Sequence, residues 1–315
     1  LNIGGLGMLG GKPAVKAMDA CDVLLMVGTD FPYEDFYSDS TRAIQIESNP
    51  VRLGRRHPLE VGLIGNAQPT LAKLLERINA SNKEGLLKDA RKHREHQLEH
   101  FAKQEAKEAS PVPPQAVAAR ACALASDDAI FLADTGEVTV WCARHLHLRG
   151  KQRMTQSGQL ASMAFGLPAA IGTQLAYPDR QVVALCGDGG FSMLMVDFLT
   201  AAKYELPITV IVFNNHKLGL IQAEQESSAL PEYAVKLHNP DFAEYARLCG
   251  GEGWNVRHTN ELDEAIKAAY ASNKPSLIDV EVDPDALPMP PEISMDQAIN
   301  FSIGKLKEMA EKFDF

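Results

Sequence analysis

The chain has 315 residues and a mass of 34.3 kDa, enough for one large or two medium domains. With 45% apolar and 23% charged residues it reads as an ordinary globular protein, which excludes collagen-like, mucin-like and largely disordered chains. A formal net charge of −10 speaks against a broad nucleic-acid or anionic-membrane surface, and no apolar run reaches the roughly 18 residues of a membrane span. Five cysteines (Cys21, Cys122, Cys142, Cys186 and Cys249) are scattered without a CxxC pair. They predict buried thiols in a reducing cytoplasm rather than disulfides or zinc. The sequence opens on Leu1 and runs into a glycine-rich stretch with neither the basic flank nor the apolar core of a signal peptide. It is expected to be cut from something longer.

Helix and strand alternate from Pro13 to about Ala80. A helix is predicted over 13–20, strands over 22–28, 42–47 and 62–65, and a helix over 67–78. Continuous apolar runs suit parallel strands covered on both faces. Between Lys83 and Glu108 half of the positions are charged, and Pro111-Val112-Pro113-Pro114 closes the stretch, as for a solvated linker helix. His93, His96 and His100 on it are read as surface, because no carboxylate or cysteine completes a metal set.

A longer α/β run follows. Helices are predicted over 115–125, 137–145, 162–177, 191–204, 242–248 and 261–271. Strands are predicted over 129–133, 181–186, 208–214, 254–257 and 276–282, which implies a mainly parallel, doubly wound sheet. Neither a solenoid repeat nor a low-complexity stretch is evident.

The informative stretch is Gly187-Asp188-Gly189-Gly190, followed by a helix, a strand and Asn214-Asn215. A right-handed crossover brings both strand ends to one carboxyl edge, where open α/β sheets bind ligands. Asp188 and Asn215 would meet there. A carboxylate and an amide oxygen are hard ligands suited to Mg²⁺ sharing its shell with phosphate oxygens. Glycine N–H groups and the next helix N-terminus favour an anion, so a metal-bridged diphosphate fits.

This pattern resembles the motif of thiamine diphosphate enzymes. The wider text CGDGGFSMLMVDFLTAAKYELPITVIVFNNHKLGLIQAEQE resembles the pyruvate oxidase and quinone-dependent pyruvate dehydrogenase group within them. Gly28-Thr29-Asp30-Phe31-Pro32-Tyr33 and Ile44-Gln45-Ile46-Glu47-Ser48-Asn49-Pro50 are similar to the FAD-binding part of that group's middle domain. The resemblance implies an α/β chain with a thiamine-diphosphate-binding fold, preceded by part of a Rossmann-like flavin domain. Its segments would be 1–80 (second half of the flavin domain), 81–113 (linker helix), 114–292 (diphosphate domain) and 293–315 (tail helix).

By the same resemblance, Asp188, the Asn215 side chain and the Lys217 carbonyl would bind Mg²⁺. Gly189, Gly190, Leu218 and Gly219 would line the diphosphate. Ala161, Ser162 and Met163 would grip the rings, with Met163 enforcing the cofactor's bend. Glu224 would stand near the reacting centre as the catalytic candidate, and Leu220 replaces a phenylalanine that lies near both cofactors in the family. Gly5, Leu6, Gly7 and Met8, then Gly28, Thr29, Asp30, Phe31 and Pro32, then Ile46 and Glu47, would contact FAD.

The implied activity is oxidative decarboxylation of pyruvate to acetate or acetyl phosphate, with electrons passed through FAD to oxygen or quinone. An acetolactate-synthase-like carboligase and a non-catalytic cofactor-binding module are the alternatives. The stretch 28–33 and Leu287-Pro288-Met289-Pro290-Pro291 favour the oxidase. The resemblance also implies a homo-oligomer, dimer or tetramer, with its active site between subunits and no nucleic-acid partner. The family's pyrimidine-binding domain is not in this sequence, so the chain alone is expected to hold FAD weakly and not to turn over pyruvate. Ile299, Ile303, Leu306, Ala310 and Phe313 follow helical spacing. The tail is read as packing on the domain, with peripheral contact at the inner membrane as the alternative in a cytoplasmic protein.

Overall fold

The computed structural model describes residues 2–79, 84–288 and 299–303. The chain forms two compact units, Leu1–Glu99 and His100–Phe315. In the first, α1 (Lys12–Ala20) precedes β1 (Val23–Val27), β2 (Arg42–Glu47) and β3 (Val61–Ile64), and α2 (Ala67–Leu75) follows. The three strands are parallel in the order β1-β2-β3. Leu25, Ile44 and Val61 stand in register on one face, where Leu25 and Val61 stay about 40% exposed, while Ile46 is buried. The charged stretch forms one long helix, α3 (Gly85–Glu105), and its histidines belong to no metal-binding cluster among the described residues.

The second unit carries a six-stranded parallel sheet in the order β5-β4-β6-β7-β9-β8. Its strands are β4 (Ile130–Ala133), β5 (Arg153–Gln156), β6 (Val182–Gly187), β7 (Thr209–Asn214), β8 (Glu252–Val256) and β9 (Ser276–Glu281). Its helices are α4 (Pro114–Leu124), α5 (Glu137–His145), α6 (Gly166–Ala176), α7 (Asp188–Leu194), α8 (Phe198–Lys203), α9 (Gly219–Ser227), α10 (Phe242–Leu248) and α11 (Thr259–Ala271). Strand side chains alternate between two faces, and both faces are covered. Phe131, Leu185, Ile211 and Ile278 pack with Trp141 and Ile266 on one side. Leu132, Ala184 and Val210 pack with Phe191, Phe198 and Phe242 on the other. This double burial explains why VVALCG and TVIVFN are almost wholly apolar.

Several expected elements are corrected. The helix predicted from 162 begins at Gly166, because Ala161 and Ala164 take left-handed backbone, with φ of 48° and 66°. The helix predicted over 191–204 starts earlier, at Asp188, and is broken by a 3₁₀ turn at Met195–Asp197. The sequence pattern predicts neither edge strand β5 nor helix α9. All five cysteines are free, three of them fully buried. Of the expected tail helix, 299–303 are helical and the rest lies outside the described residues. No helix among the described residues is long and apolar enough to cross a membrane.

The C-terminal end of α5 is pinned by a carboxylate. Glu105 Oε1 accepts from His145 Nδ1 at 2.7 Å and His147 Nε2 at 2.8 Å, and the Phe101 ring lies 4.5 Å from that of His145. Burial alone would raise the Glu105 carboxyl, but the two imidazoles bring it down to about 2.

Strand β8 lies tight on α10, where a Cβ at Gly253 would run into the Ala243 carbonyl. Gly253→Ala is therefore expected to cost about 1–3 kcal/mol through overpacking. Urea unfolding checks this; an unchanged midpoint would show that β8 and α10 can separate freely.

Candidate functional site

The chain leaves β4 for edge strand β5 and then returns across β4 to β6, so the strand order reverses between β4 and β6. Such a switch point opens a crevice at the carboxyl ends of the strands. A cleft open to solvent lies there. Thr135, Gly136 and Glu137 follow β4 into it, Gly187–Gly190 follow β6, and Asn215 with Lys217–Ile221 follow β7. The N-termini of α5, α7 and α9 all open onto this space, and their N–H groups carry partial positive charge.

Gly187 pairs with Phe213 across β6 and β7, so the next residues, Asp188 and Asn214-Asn215, emerge side by side. Asp188 is only 2% exposed. Its Oδ1 accepts from the Gly189 N–H at 2.8 Å and its Oδ2 from Asn239 Nδ2 at 2.7 Å. Burial pushes the Asp188 carboxyl above its ordinary range, and the Asn239 amide is the strongest opposing influence. Asn215 Nδ2 donates to Glu137 Oε2 at 2.8 Å, and Asn215 Oδ1 accepts from the Lys217 N–H at 3.2 Å. The turn between them needs His216 in left-handed backbone, with φ of 59°.

Glu137 opens α5 and aims its carboxylate at the β7 loop. Burial drives its pKa up to about 7, with Asp188 adding to the rise and Lys217 and Asn215 opposing it. A Cβ at Gly219 would collide with this carboxylate, and one at Gly189 would come within 2.7 Å of Leu218 Cδ2. A side chain at either position would force these neighbouring side chains to move.

Asp134, at the end of β4, is fully buried. Its Oδ1 accepts from the N–H groups of Thr135 (2.8 Å) and Phe165 (3.0 Å), and it fixes the turn that carries Met163. Its Oδ2 has no hydrogen-bond partner and lies where a Cβ on Gly190 would be. Burial raises its carboxyl to about 6 against the pull of four backbone N–H groups.

The structure brings Met163, Asp188, Gly189, Gly190, Asn215, Lys217, Leu218, Gly219 and Leu220 to one cleft. Ala161 and Ser162 are exposed and do not line it. Glu224 is exposed on α9, outside the lining, but it stands four residues after Leu220 and so on the same helix face. The buried carboxylate of α9 is Glu226.

In the first unit, Gly28, Thr29 and Glu47 sit at the carboxyl ends of β1 and β2, and the Gly28 N–H donates to the Ile46 carbonyl. The Gly5–Met8 stretch reaches the Thr29–Pro32 loop, since Gly7 packs against the Phe31 ring. Glu47 is 5% exposed, with Oε1 engaged by Ser48 and Asn49 and Oε2 buried without a hydrogen-bond partner. Asp30 is held by Arg55 and Arg56, and the Ile46 side chain is spent in the core.

Sequence reasoning missed Asp134, Glu137 and Asn239. Glu137 had a signal, in a Thr-Gly-Glu string directly after a buried strand. Asn239 had only an Asn-Pro-Asp turn to mark it.

Among the described residues, no group of three or more His, Cys, Asp or Glu could hold a metal by itself. A cation at Asp188 and Asn215 would take further oxygens from its ligand, as Mg²⁺ does with phosphates. Two hard oxygen donors beside three helix N-termini fit a magnesium diphosphate. The buried, unpaired Glu47 oxygen at the edge of β1 and β2 fits a hydroxyl donor such as a nucleotide ribose.

Residues 134–280 match the family model of the C-terminal TPP binding domain of thiamine pyrophosphate enzymes, and residues 1–74 match that of their central domain. YdaP of Bacillus subtilis (strain 168), named for thiamine pyrophosphate, is 42% identical over 99% of this chain and 54% of its own length. A pyruvate oxidase of Lactiplantibacillus plantarum is 30% identical over 92% of the chain and 49% of its length. An acetolactate synthase large subunit of Parasynechococcus marenigrum is 32% identical over 90% and 47%. The chain spans about half the length of these curated relatives.

The raised pKa of Asp134 has a measurable consequence. Between about pH 4 and 6 the folded chain keeps a proton there that the unfolded chain has released, so this group's contribution falls as pH rises. Asp134→Asn cannot titrate. Its stability relative to wild type should rise by about 2–3 kcal/mol from pH 4 to 7 and then level off, read from urea unfolding at each pH. A pH-independent difference would contradict the assignment.

Proposed function

We propose that this chain, which carries the central and C-terminal domains of the thiamine pyrophosphate enzymes, holds the diphosphate end of thiamine diphosphate through Mg²⁺ at Asp188 and Asn215. The observation that carries this reading is the placement of both oxygen donors, one of them almost fully buried, in the cleft at the sheet's switch point. The Lys217 backbone completes the protein's share of the ligands. The Lys217 ammonium, close enough to influence Glu137, adds positive charge on the side where the phosphates would lie.

When bound, thiamine diphosphate supplies a nucleophilic carbon and an electron sink for decarboxylating a 2-keto acid. The chain's own groups prepare the place for it. Met163, Trp141, Phe213 and Leu220 make an apolar wall that excludes water and strengthens the charge interactions beside it. Glu137, with its pKa raised to about 7, can hold or release a proton at Oε1 or Oε2 near neutral pH. Glu224, exposed one turn beyond Leu220 on the same helix face, would act from outside the cleft's lining.

For the whole enzyme the reading is an FAD-dependent pyruvate oxidase making acetate or acetyl phosphate, with the flavin nucleotide on Glu47, Gly28 and the Gly5–Met8 loop. The aromatic loop around Phe31, whose ring packs edge-on to Tyr33, Phe36 and Tyr37, supports an ordered flavin contact. An acetolactate-forming carboligase is the second reading, because acetolactate synthases match at identities similar to that of the oxidase. Subunits sharing the active site, and electrons passing to oxygen or quinone, belong to the same proposal.

Calorimetric titration with thiamine diphosphate, with and without Mg²⁺, tests the cofactor assignment. Wild type should bind in a metal-dependent way, and Asp188→Ala should weaken binding by about tenfold or more. Equal, metal-independent affinity in both proteins would remove the site from Asp188.

A further inference from the structure

Beside the cleft, one amide is committed to the wall behind it. Asn239 lies in the loop before α10, and its Nδ2 donates to Asp188 Oδ2 at 2.7 Å and to Asn214 Oδ1 at 2.8 Å. A side-chain amide nitrogen has two protons, so both are used. Its orientation is fixed by its neighbours. Asp188 offers only acceptors when ionised, and Asn214 must present its oxygen because Asn214 Nδ2 donates to Asp279 Oδ1 at 3.0 Å. Asp279 Oδ2 in turn accepts from the Phe242 N–H at 3.3 Å. A chain of buried and half-buried hydrogen bonds therefore runs from the first turn of α10 through β9 and β7 to the end of β6.

We propose that Asn239 is a positioning residue that sets the Asp188 carboxylate for a divalent cation. The inference rests on the reading that Asp188 and Asn215 hold that cation. With Oδ1 held by the Gly189 N–H and Oδ2 by Asn239, the carboxylate is held against rotation about its Cβ–Cγ bond, and with the His216 N–H also acting on it acceptor capacity remains for a cation. Ligating carboxylates are commonly oriented by such outer partners, whose loss lowers metal affinity by about 10–100-fold. Without Asn239, Asp188 would be a deeply buried carboxylate short of one donor, and Asn214 would lose the contact that ties β7 to it. The aim of the ligand and the burial of its charge thus depend on a side chain 51 positions away in sequence.

Electron paramagnetic resonance of Mn²⁺ in the presence of thiamine diphosphate reads free and bound cation directly, without any turnover. Asn239→Ala should raise the Mn²⁺ dissociation constant by about 10–100-fold at a temperature where the variant is folded by circular dichroism. Asn239→Ser keeps one donor and should fall between Asn239→Ala and wild type; it carries the comparison if the alanine variant does not fold. A merely structural role would lower the melting temperature and leave Mn²⁺ affinity unchanged in the folded variants, and that result overturns the proposal. Failure of wild type itself to bind Mn²⁺ with thiamine diphosphate would overturn the cation reading, and the role of Asn239 with it.

Discussion

The parallel pairing of β6 with β7 is the constraint on which the rest depends. Its register sets Gly187 against Phe213 and leaves the next residue of one strand a carboxylate and the next two of the other amides. A shift of one residue would move every apolar side chain of these buried strands to the opposite face. Both faces are packed with phenylalanine and branched aliphatics, so that shift is strongly resisted. The ligand edge of the sheet is thereby specified by the core beneath it.

Around that edge the polar groups form an unusually carboxylate-rich rim. Asp134, Glu137, Asp188 and Asp279 are all raised by burial. Each is offset by different donors: backbone N–H groups for Asp134, Asn215 and Lys217 for Glu137, Asn239 for Asp188, Asn214 for Asp279. Among them the Asp188 charge adds to the rise at Glu137, an opposition that a divalent cation would relieve.

Much of this was legible in the sequence because it is local or strictly periodic. The strand over 42–47 and the helices over 137–145 and 242–248 have their expected bounds, since apolar pattern and flanking residues agree there. The glycine–aspartate turn and the asparagine pair were legible because a helical crossover has predictable geometry. What escaped was set by contacts distant in sequence. The start of α6 is delayed by a buried carboxylate on β4 that captures the Phe165 N–H, and no local propensity encodes that. Strand β5 has one large apolar residue and pairs only along an edge, so its pattern is too weak to read. The partners of Asp188 and Asn215 lie 51 and 78 positions away, and composition gives no sign of them.

The most direct measurement is a crystal structure of the chain grown with thiamine diphosphate and Mn²⁺, with data collected to reveal the anomalous signal of manganese. The account places the strongest anomalous peak at the ends of β6 and β7, about 2.1 Å from an Asp188 oxygen and from Asn215 Oδ1, with diphosphate oxygens completing the shell. Thiamine diphosphate bound in the cleft with no cation at Asp188, or a manganese peak elsewhere in the chain, would contradict it.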